Sequence, residues 1–170
     1  IKNLGFADGN ILVSTPPSSS SVFSYVGGIV GRNEGVIENC YNTGAVSASA
    51  SSSSSSVYFY VGGIAGYGYE GVITNSYNTG KVSASASAQS PDTYAGGIVG
   101  QNSGTISNCY YVDNTNLGVG YGTDTCLKCT ATQMKVQATF VGFDFEQVWT
   151  MAGDPNYSYP ELSDVPHVEP

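Results

Sequence analysis

Charge is what this chain has least of. Only 11% of its 170 residues are Asp, Glu, Lys or Arg, against about a quarter in ordinary globular proteins, so hydroxyl and amide groups must supply its solubility. Basic residues are scarcer still. Five Lys and Arg against 13 Asp and Glu leave a net charge of −8, a field that repels phosphate backbones and anionic bilayers and argues against nucleic-acid partners. No run approaches the roughly 18 uninterrupted apolar residues of a membrane span, so membrane insertion is not expected. The N-terminus lacks the charged-then-apolar layout of a signal peptide, and the sequence reads as a mature chain or an excised piece. Histidine occurs once, as His167 near the end, which leaves the many serines without their usual general-base partner. The charge is also uneven. No Lys or Arg follows Lys135, while Asp144, Glu146, Asp154, Glu161, Asp164 and Glu169 do, so the C-terminal end carries much of the negative field.

What fills the space is a repeat. Three segments align: YVGGIVGRNEGVIENCYNTGAVSA from Tyr25, YVGGIAGYGYEGVITNSYNTGKVSA from Tyr60 and YAGGIVGQNSGTISNCYY from Tyr94. Their starts are 35 and 34 residues apart, a period in the range of solenoid repeats. A partial copy opens the chain, since IKNLGFADGNI from Ile1 matches IENCYNTGAV from Ile37 at its first and third positions. The chain therefore starts in mid-repeat, without the GGIVG half. Between the copies lie Ser-rich stretches, Ser18 to Ser21, Ser47 to Ser56 and Ser83 to Ser90. They read as insertions projecting on one side of a solenoid and dispensable to its core.

Short β-branched runs bounded by Gly and Asn, with no helical period, predict strands and turns. One copy is too small to bury its own apolar face; stacked copies bury it by placing equivalent residues about 4.8 Å apart. The fold expected is all-β: a right-handed parallel β-helix, or β-solenoid, of about three and a half repeats. Stacking turns equivalent positions into columns. Ile29, Ile64 and Ile98 form one inward column, and Ile37, Ile73 and Ile106 another. Asn39, Asn75 and Asn108, begun by Asn3, form a column of amides able to hydrogen-bond along the stack, with Tyr41, Tyr77 and Tyr110 stacked beside them. The pairs Gly27-Gly28, Gly62-Gly63 and Gly96-Gly97 suit corners that need positive φ or close backbone approach.

The repeat stops after Tyr111. TATQMKVQATF, from Thr130 to Phe140, is the one plausible helix, with a Thr N-cap and Gly142 shortly beyond. Phe140, Phe143, Phe145, Val148, Trp149 and Met151 gather bulky apolar side chains in a chain otherwise built of small ones, as a cap over the last open rung requires. The organisation expected is a repeat region over 1–111, a small C-terminal cap with a short helix over 112–162, and a tail over 163–170 that is flexible or bound to a partner.

The strings GGIVG, GVIENCYNTGAV and GTISNCYY resemble the GLUG repeats of large bacterial surface proteins, among them adhesin-like proteins and the non-catalytic N-terminal parts of some immunoglobulin-A-cleaving proteases. TQMKVQATFVGFDFEQVWTM followed by NYSYPEL resembles the tail that closes such arrays, so the resemblance runs from Ile1 to about Leu162. It implies a secreted, extracellular or cell-surface module of a bacterial adhesin or filament, with no shared catalytic residues. The long Ser-rich insertions depart from the family's short connections.

Few residues offer chemistry. Cys126 and Cys129 have the spacing of a zinc half-site, but two further ligands are wanting and His167 is the lone histidine, so no metal and no cofactor are expected. A thioredoxin-like role wants a βαβ context, and haem attachment wants His where Thr130 stands. A structural disulfide is the simpler reading, between Cys126 and Cys129 or from one of them to Cys109. Cys40 and Cys109 are two rungs apart, beyond bridging distance. From Tyr25 to Tyr111 the only acidic residues are Glu34, Glu38, Glu70 and Asp92, too few for the clustered carboxylates of a polysaccharide-degrading β-helix. The Gly-rich strings lack the Gly-Lys-Ser/Thr of a phosphate loop. The chain is therefore expected not to be an enzyme but a stalk, adhesin or filament subunit, its partner itself by head-to-tail stacking or an upstream β-solenoid domain. The alternative is a glycan- or host-surface-binding module contacting its ligand through exposed Tyr58, Tyr67 and Tyr69.

Overall fold

The computed structural model describes residues 1–15, 21–51, 56–88, 90–112, 117–151 and 159–163. The chain coils, four strands to a turn. The first turn holds β1 (Lys2–Phe6), β2 (Asn10–Thr15), β3 (Val22–Gly27) and β4 (Val30–Asn33). The second holds β5 (Val36–Asn42), β6 (Ala45–Ser51), β7 (Ser56–Gly62) and β8 (Ala65–Gly68). The third holds β9 (Val72–Asn78), β10 (Val82–Ser87), β11 (Ser90–Gly96) and β12 (Val99–Asn102). Then come β13 (Thr105–Val112), β14 (Val119–Gly122) and β15 (Leu127–Cys129). Equivalent strands pair in parallel into four sheets, ordered β1-β5-β9-β13-β15, β2-β6-β10, β3-β7-β11 and β4-β8-β12-β14. This is a parallel β-solenoid.

Register is kept residue for residue. Ile37 lies opposite Ile73 and Ile106 opposite Ile73, while the Ile29 and Ile64 amides donate to the carbonyls of Ile64 and Ile98. The interior has two halves. Ile37, Cys40, Ile64, Ala65, Ile73, Ile98, Val99, Ile106 and Cys109 pack between the first and fourth sheets. Val46, Ala48, Val57, Phe59, Val61 and Val82 pack between the second and third.

That second half corrects the reading of the Ser-rich stretches. Ser47 to Ser51 and Ser83 to Ser87 are not projecting loops but the bulk of β6 and β10, paired through Ser47–Ser83, Ala48–Ala84 and Ser49–Ser85. Ser and Ala are indifferent strand formers, but their strict alternation sends every Ala inward and every Ser outward. Small Ala48 then accommodates bulky Phe59 from the facing sheet. Residues 16–20 and 52–55 lie outside the described residues.

The glycine pairs are also corrected in part. Gly28 and Gly63 do not adopt positive φ; what they lack is room, since a Cβ on Gly28 would strike the carbonyl of Gly63 and the amide of Asn42. Left-handed backbone recurs instead at the asparagines, Asn3, Asn39, Asn75 and Asn108 having φ of 53°, 54°, 47° and 49°, and occurs also at Asp8 and Glu70, each at 55°. Asparagine tolerates that conformation better than other side chains. The kink breaks the period of two, so that Glu38 and Asn39 both face out while Ile37 and Cys40 are both buried.

The stack also continues past Tyr111. β14 adds to β12 and β15 adds to β13, because the chain leaves β13 directly for the fourth sheet. The segment from Thr130 to Phe140 is not one helix but two 3-10 turns, Gln133–Lys135 and Gln137–Thr139, separated by extended Val136. Thr130 and Gln133 cap each other's amides reciprocally. A hairpin of β16 (Trp149–Met151) and β17 (Pro160–Leu162) follows.

This C-terminal segment is the small cap of the coil. It runs back along the outside of the first sheet until β17 meets β1, burying Met134, Phe140, Phe143, Trp149 and Leu162 against Tyr41, Tyr77 and Tyr110. The tyrosines offer apolar ring surface on an outer face that would otherwise be wet, and the bulky residues cover it.

Treating β6 and β10 as strands makes a paired prediction. Ala48→Asp places a carboxylate in the interior and should lower the unfolding free energy by about 3 kcal/mol or more. Ser85→Asp, on the exposed side, should change it by less than about 0.5 kcal/mol. Urea denaturation of the two variants checks the reading; equal effects would return these stretches to loops.

Candidate functional site

Three sets of side chains are candidates: the ladders that hold the coil together, the aromatic surface of the third and fourth sheets, and the cysteines. The exposed amide column is bonded at two steps, Asn39 donating to Asn3 and Asn108 to Asn75, each at 3.1 Å. Gly142, at φ 89°, sits against Asn108, where a Cβ would strike the side-chain amide. Tyr41 and Tyr77 stack with centroids 5.3 Å apart and planes 6° off parallel. Tyr110 lies opposite Tyr77 in register and turns its ring edge toward Phe140 and Phe143. The phenols of Tyr77 and Tyr110 donate to the carbonyls of Pro160 and Val141. Burial pushes the Tyr41 and Tyr110 phenols above their ordinary pKa, which keeps both neutral. These six residues serve the coil and its buttress.

A second amide ladder is wholly internal, and sequence reading missed it. Asn42 and Asn78 are fully buried and joined by a 2.8 Å bond from Asn42 Nδ2 to Asn78 Oδ1. Each also closes its own Asn-Thr-Gly turn, accepting from the amide of Gly44 or Gly80 and donating to that residue's carbonyl. Asn102 does the same at Gly104, accepting from its amide and donating to its carbonyl, whereas Asn33 accepts from the amide of Gly35 and donates to the carbonyl of Val72. The signal was in the repeated Asn-Thr-Gly, which reads as a turn; that its amide points inward follows only from the strand parity set by the kink at Asn39.

The outward surface carries the candidate ligand residues. On the third sheet the outward positions are Phe23, Tyr58 and Asp92 in one column and Tyr25, Tyr60 and Tyr94 in the next. On the fourth, Arg32, Tyr67, Gln101 and Tyr121 align. Tyr67 and Tyr69 come together, with centroids 5.7 Å apart, and the Arg32 guanidinium lies 4.7 Å from the Tyr69 ring while pairing with Glu34 at 2.7 Å. Tyr58 is not beside them; it stacks on Phe23 at 4.4 Å.

Between the two groups runs the column Tyr25, Tyr60 and Tyr94, spaced at 5.6 and 5.4 Å and joined to the fourth sheet through Tyr25–Tyr67 and Tyr94–Tyr121. Burial, then the neighbouring phenols, push the Tyr60 pKa up. Sequence reading used these three tyrosines only as the starts of the repeats. Because the rings stack on one another, this surface presents ring edges and hydroxyls more than open faces. Phe23 and Tyr121, at opposite ends of the stack, are the most open at 59% and 55% exposed.

The cysteines divide. Cys126 packs against the inner core with Cys109, whereas Cys129 is buried beneath the C-terminal segment on the outer side. Two side chains on opposite sides of one short strand do not form half of a metal site, and His167 lies outside the described residues. Among the described residues no group of three or more His, Cys, Asp or Glu is placed to hold a metal ion, and no helix is long and apolar enough to cross a membrane.

Comparison with known families meets this architecture in two stretches. The GLUG motif matches residues 24–47 and 57–83. Each match begins in β3 or β7, crosses the fourth and first sheets and ends in β6 or β10, so one motif is one complete turn of the coil. The chain is similar to that family over these two turns, and the third copy, from Tyr94, repeats the same strand order. No curated protein matches the chain, and no solved structure does.

Two substitutions separate the ladders. Asn78→Ala strands the Gly80 amide and carbonyl and removes the bond from Asn42, and should cost roughly 2–4 kcal/mol. At the left-handed position Asn75, glycine should be tolerated, whereas valine should cost about 1–3 kcal/mol in backbone strain. Denaturation midpoints measure both.

Proposed function

We propose that the chain is a non-catalytic extracellular segment of a bacterial cell-surface protein or fibre, serving as a stalk, adhesin module or filament subunit. The observation that carries this reading is the in-register parallel stack, matched over residues 24–47 and 57–83 by the GLUG motif. Stiffness follows from continuous pairing along one axis, and the near-absence of charge leaves little repulsion between stacked units. Among the described residues, Glu38 pairs with Lys2 and Glu34 with Arg32 rather than with other carboxylates.

The partner we propose is another solenoid, either an upstream domain or a second copy, seated on the first turn. Leu4 occupies the inward column of Cys40, yet it is 44% exposed where Cys40 is fully buried. Ile11, opposite fully buried Val46, is likewise only half-buried. Both are inward positions of the outermost strands β1 and β2, beside a strand edge of the kind natural proteins cover. Added turns would extend the same columns, and a head-to-tail contact of this kind propagates.

Hydrogen exchange on the native full-length protein tests this. Amides of β1 and β2 should be protected comparably with those of β5 and β6, and electron microscopy should show rods longer than this coil. Rapid exchange throughout β1 and β2 in a native monomer would defeat both forms of the proposal.

A second reading, glycan or host-surface binding, is favoured by the outward aromatic array. Tyr67, Tyr69 and Arg32 form its densest part, and its near-neutral, hydroxyl-bearing rim suits an uncharged polyhydroxylated ligand better than an ionic one. On this reading, replacing Tyr67 and Tyr69 by Ser should weaken retardation in affinity electrophoresis through neutral polysaccharide about tenfold, while leaving stability nearly unchanged. Equal migration of parent and variant in every gel that retards the parent would exclude that patch.

A further inference from the structure

All four cysteines carry free thiols in this structure, and the register sorts them. Tyr110 lies opposite Leu127, Tyr111 opposite Lys128 and Val112 opposite Cys129. One residue earlier on each strand stand Cys109 and Cys126, successive members of the inward column Leu4, Cys40, Ser76, Cys109 and Cys126. Both belong to the same apolar cluster. Adjacent strands place in-register Cα atoms about 4.8 Å apart, inside the window of about 4.4–6.8 Å that disulfides occupy.

The other pairings fail on position. Cys40 is separated from Cys109 by Ser76, a two-rung distance of about 9.6 Å. Cys129 faces the C-terminal segment on the opposite side of the first sheet from Cys126.

We propose that under oxidising conditions Cys109 and Cys126 join in a disulfide that fastens the final strand to the stack, leaving Cys40 and Cys129 as thiols. The place is one where fastening matters. β15 is three residues long and outermost in its sheet. The segment before it is held by the Asp124 carboxylate, which accepts from the amides of Gly118, Val119 and Cys126, and by Thr125 donating to the Ile106 carbonyl. Such edges open first. The bond would close a loop running through β14 and Asp124.

The oxidant is a disulfide, either of a small molecule such as glutathione or of a thiol oxidoreductase. One protein thiolate attacks it, forming a mixed disulfide and expelling one donor thiolate; the second protein thiolate then displaces the other donor thiolate. Two protein thiols become one disulfide, the donor disulfide becomes two thiols, and the two protons pass to them. Burial pushes Cys109 up to about 12. Cys126 is raised as well, first by burial and then by the Cys109 sulfur beside it. Thiols so seldom ionised react slowly, so closure takes place while β15 is still undocked.

The inference rests on the extracellular reading only for where the oxidant comes from. The full chain is unfolded, reduced and refolded in reduced and oxidised glutathione, then alkylated and digested without reduction. The expected map has one linked peptide pair, Cys109 with Cys126, and alkylated Cys40 and Cys129. Reduction should lower the melting temperature of the parent and leave Cys126→Ala unmoved; Cys129→Ser should keep the link. A Cys126–Cys129 link, a link to Cys40, or four alkylated thiols after oxidative refolding would overturn the assignment. If the link forms in glutathione but is absent from the native protein, the pairing stands and the extracellular reading falls.

Discussion

Parallel, in-register stacking of one turn on the next is the constraint from which the rest of this molecule follows. At a separation of about 4.8 Å every side chain meets its own equivalent above and below, so each column must be filled by residues compatible with themselves. Isoleucine over isoleucine, asparagine over asparagine and tyrosine over tyrosine satisfy that condition; repeated lysines or glutamates do not. The poverty in charge and the wealth of Gly, Ser, Asn and Tyr are two expressions of it. Where charge does occur in the body it is not repeated along a column: Lys2 lies opposite Glu38, and Arg32 lies opposite Tyr67 while pairing with Glu34.

Stacking leaves the course of each turn unspecified, and two asparagine columns settle it. The left-handed residues Asn3, Asn39, Asn75 and Asn108 reverse strand parity at one point of every turn, which lets Ile37 and Cys40 share the interior while Tyr41 faces out. One step further on, the buried amides of Asn42 and Asn78 hold their turns closed and bond to each other. The outward tyrosines become the seat of the C-terminal segment, which braces the first sheet along its length. A protein built this way extends along its axis more readily than it changes shape.

The same geometry shapes its surface chemistry. Catalysis requires unlike groups converging on one point, whereas a stack multiplies like groups along lines. The outward rings of Phe23, Tyr25, Tyr58, Tyr60, Tyr67, Tyr94 and Tyr121 form such lines. The inward cysteine column ends with two thiols on successive turns, a juxtaposition avoided earlier in the column, where Ser76 of the third turn stands between Cys40 and Cys109.

By itself the sequence determined the repeat, its period, its parallel stacking and the identity of its columns, because self-similarity at fixed spacing has few physical solutions other than a solenoid. Ile29, Ile64 and Ile98, the exposed asparagines and Tyr41, Tyr77 and Tyr110 were all legible from alignment of the copies alone. Only the tertiary structure decided what each column faces. Alternating Ser and Ala carries too little hydrophobic contrast to announce a strand, and β6 and β10 exist because Val46, Val82 and Phe59 give their alanines something to pack on. The C-terminal aromatics read as a lid because their bulk was visible and their direction was not; that direction is set by the tyrosine column they cover. The spacing of Cys126 and Cys129 suggested a pair. Strand parity places them on opposite sides of β15, and the neighbour that Cys126 meets is supplied by the turn before, through pairing that no local spacing encodes.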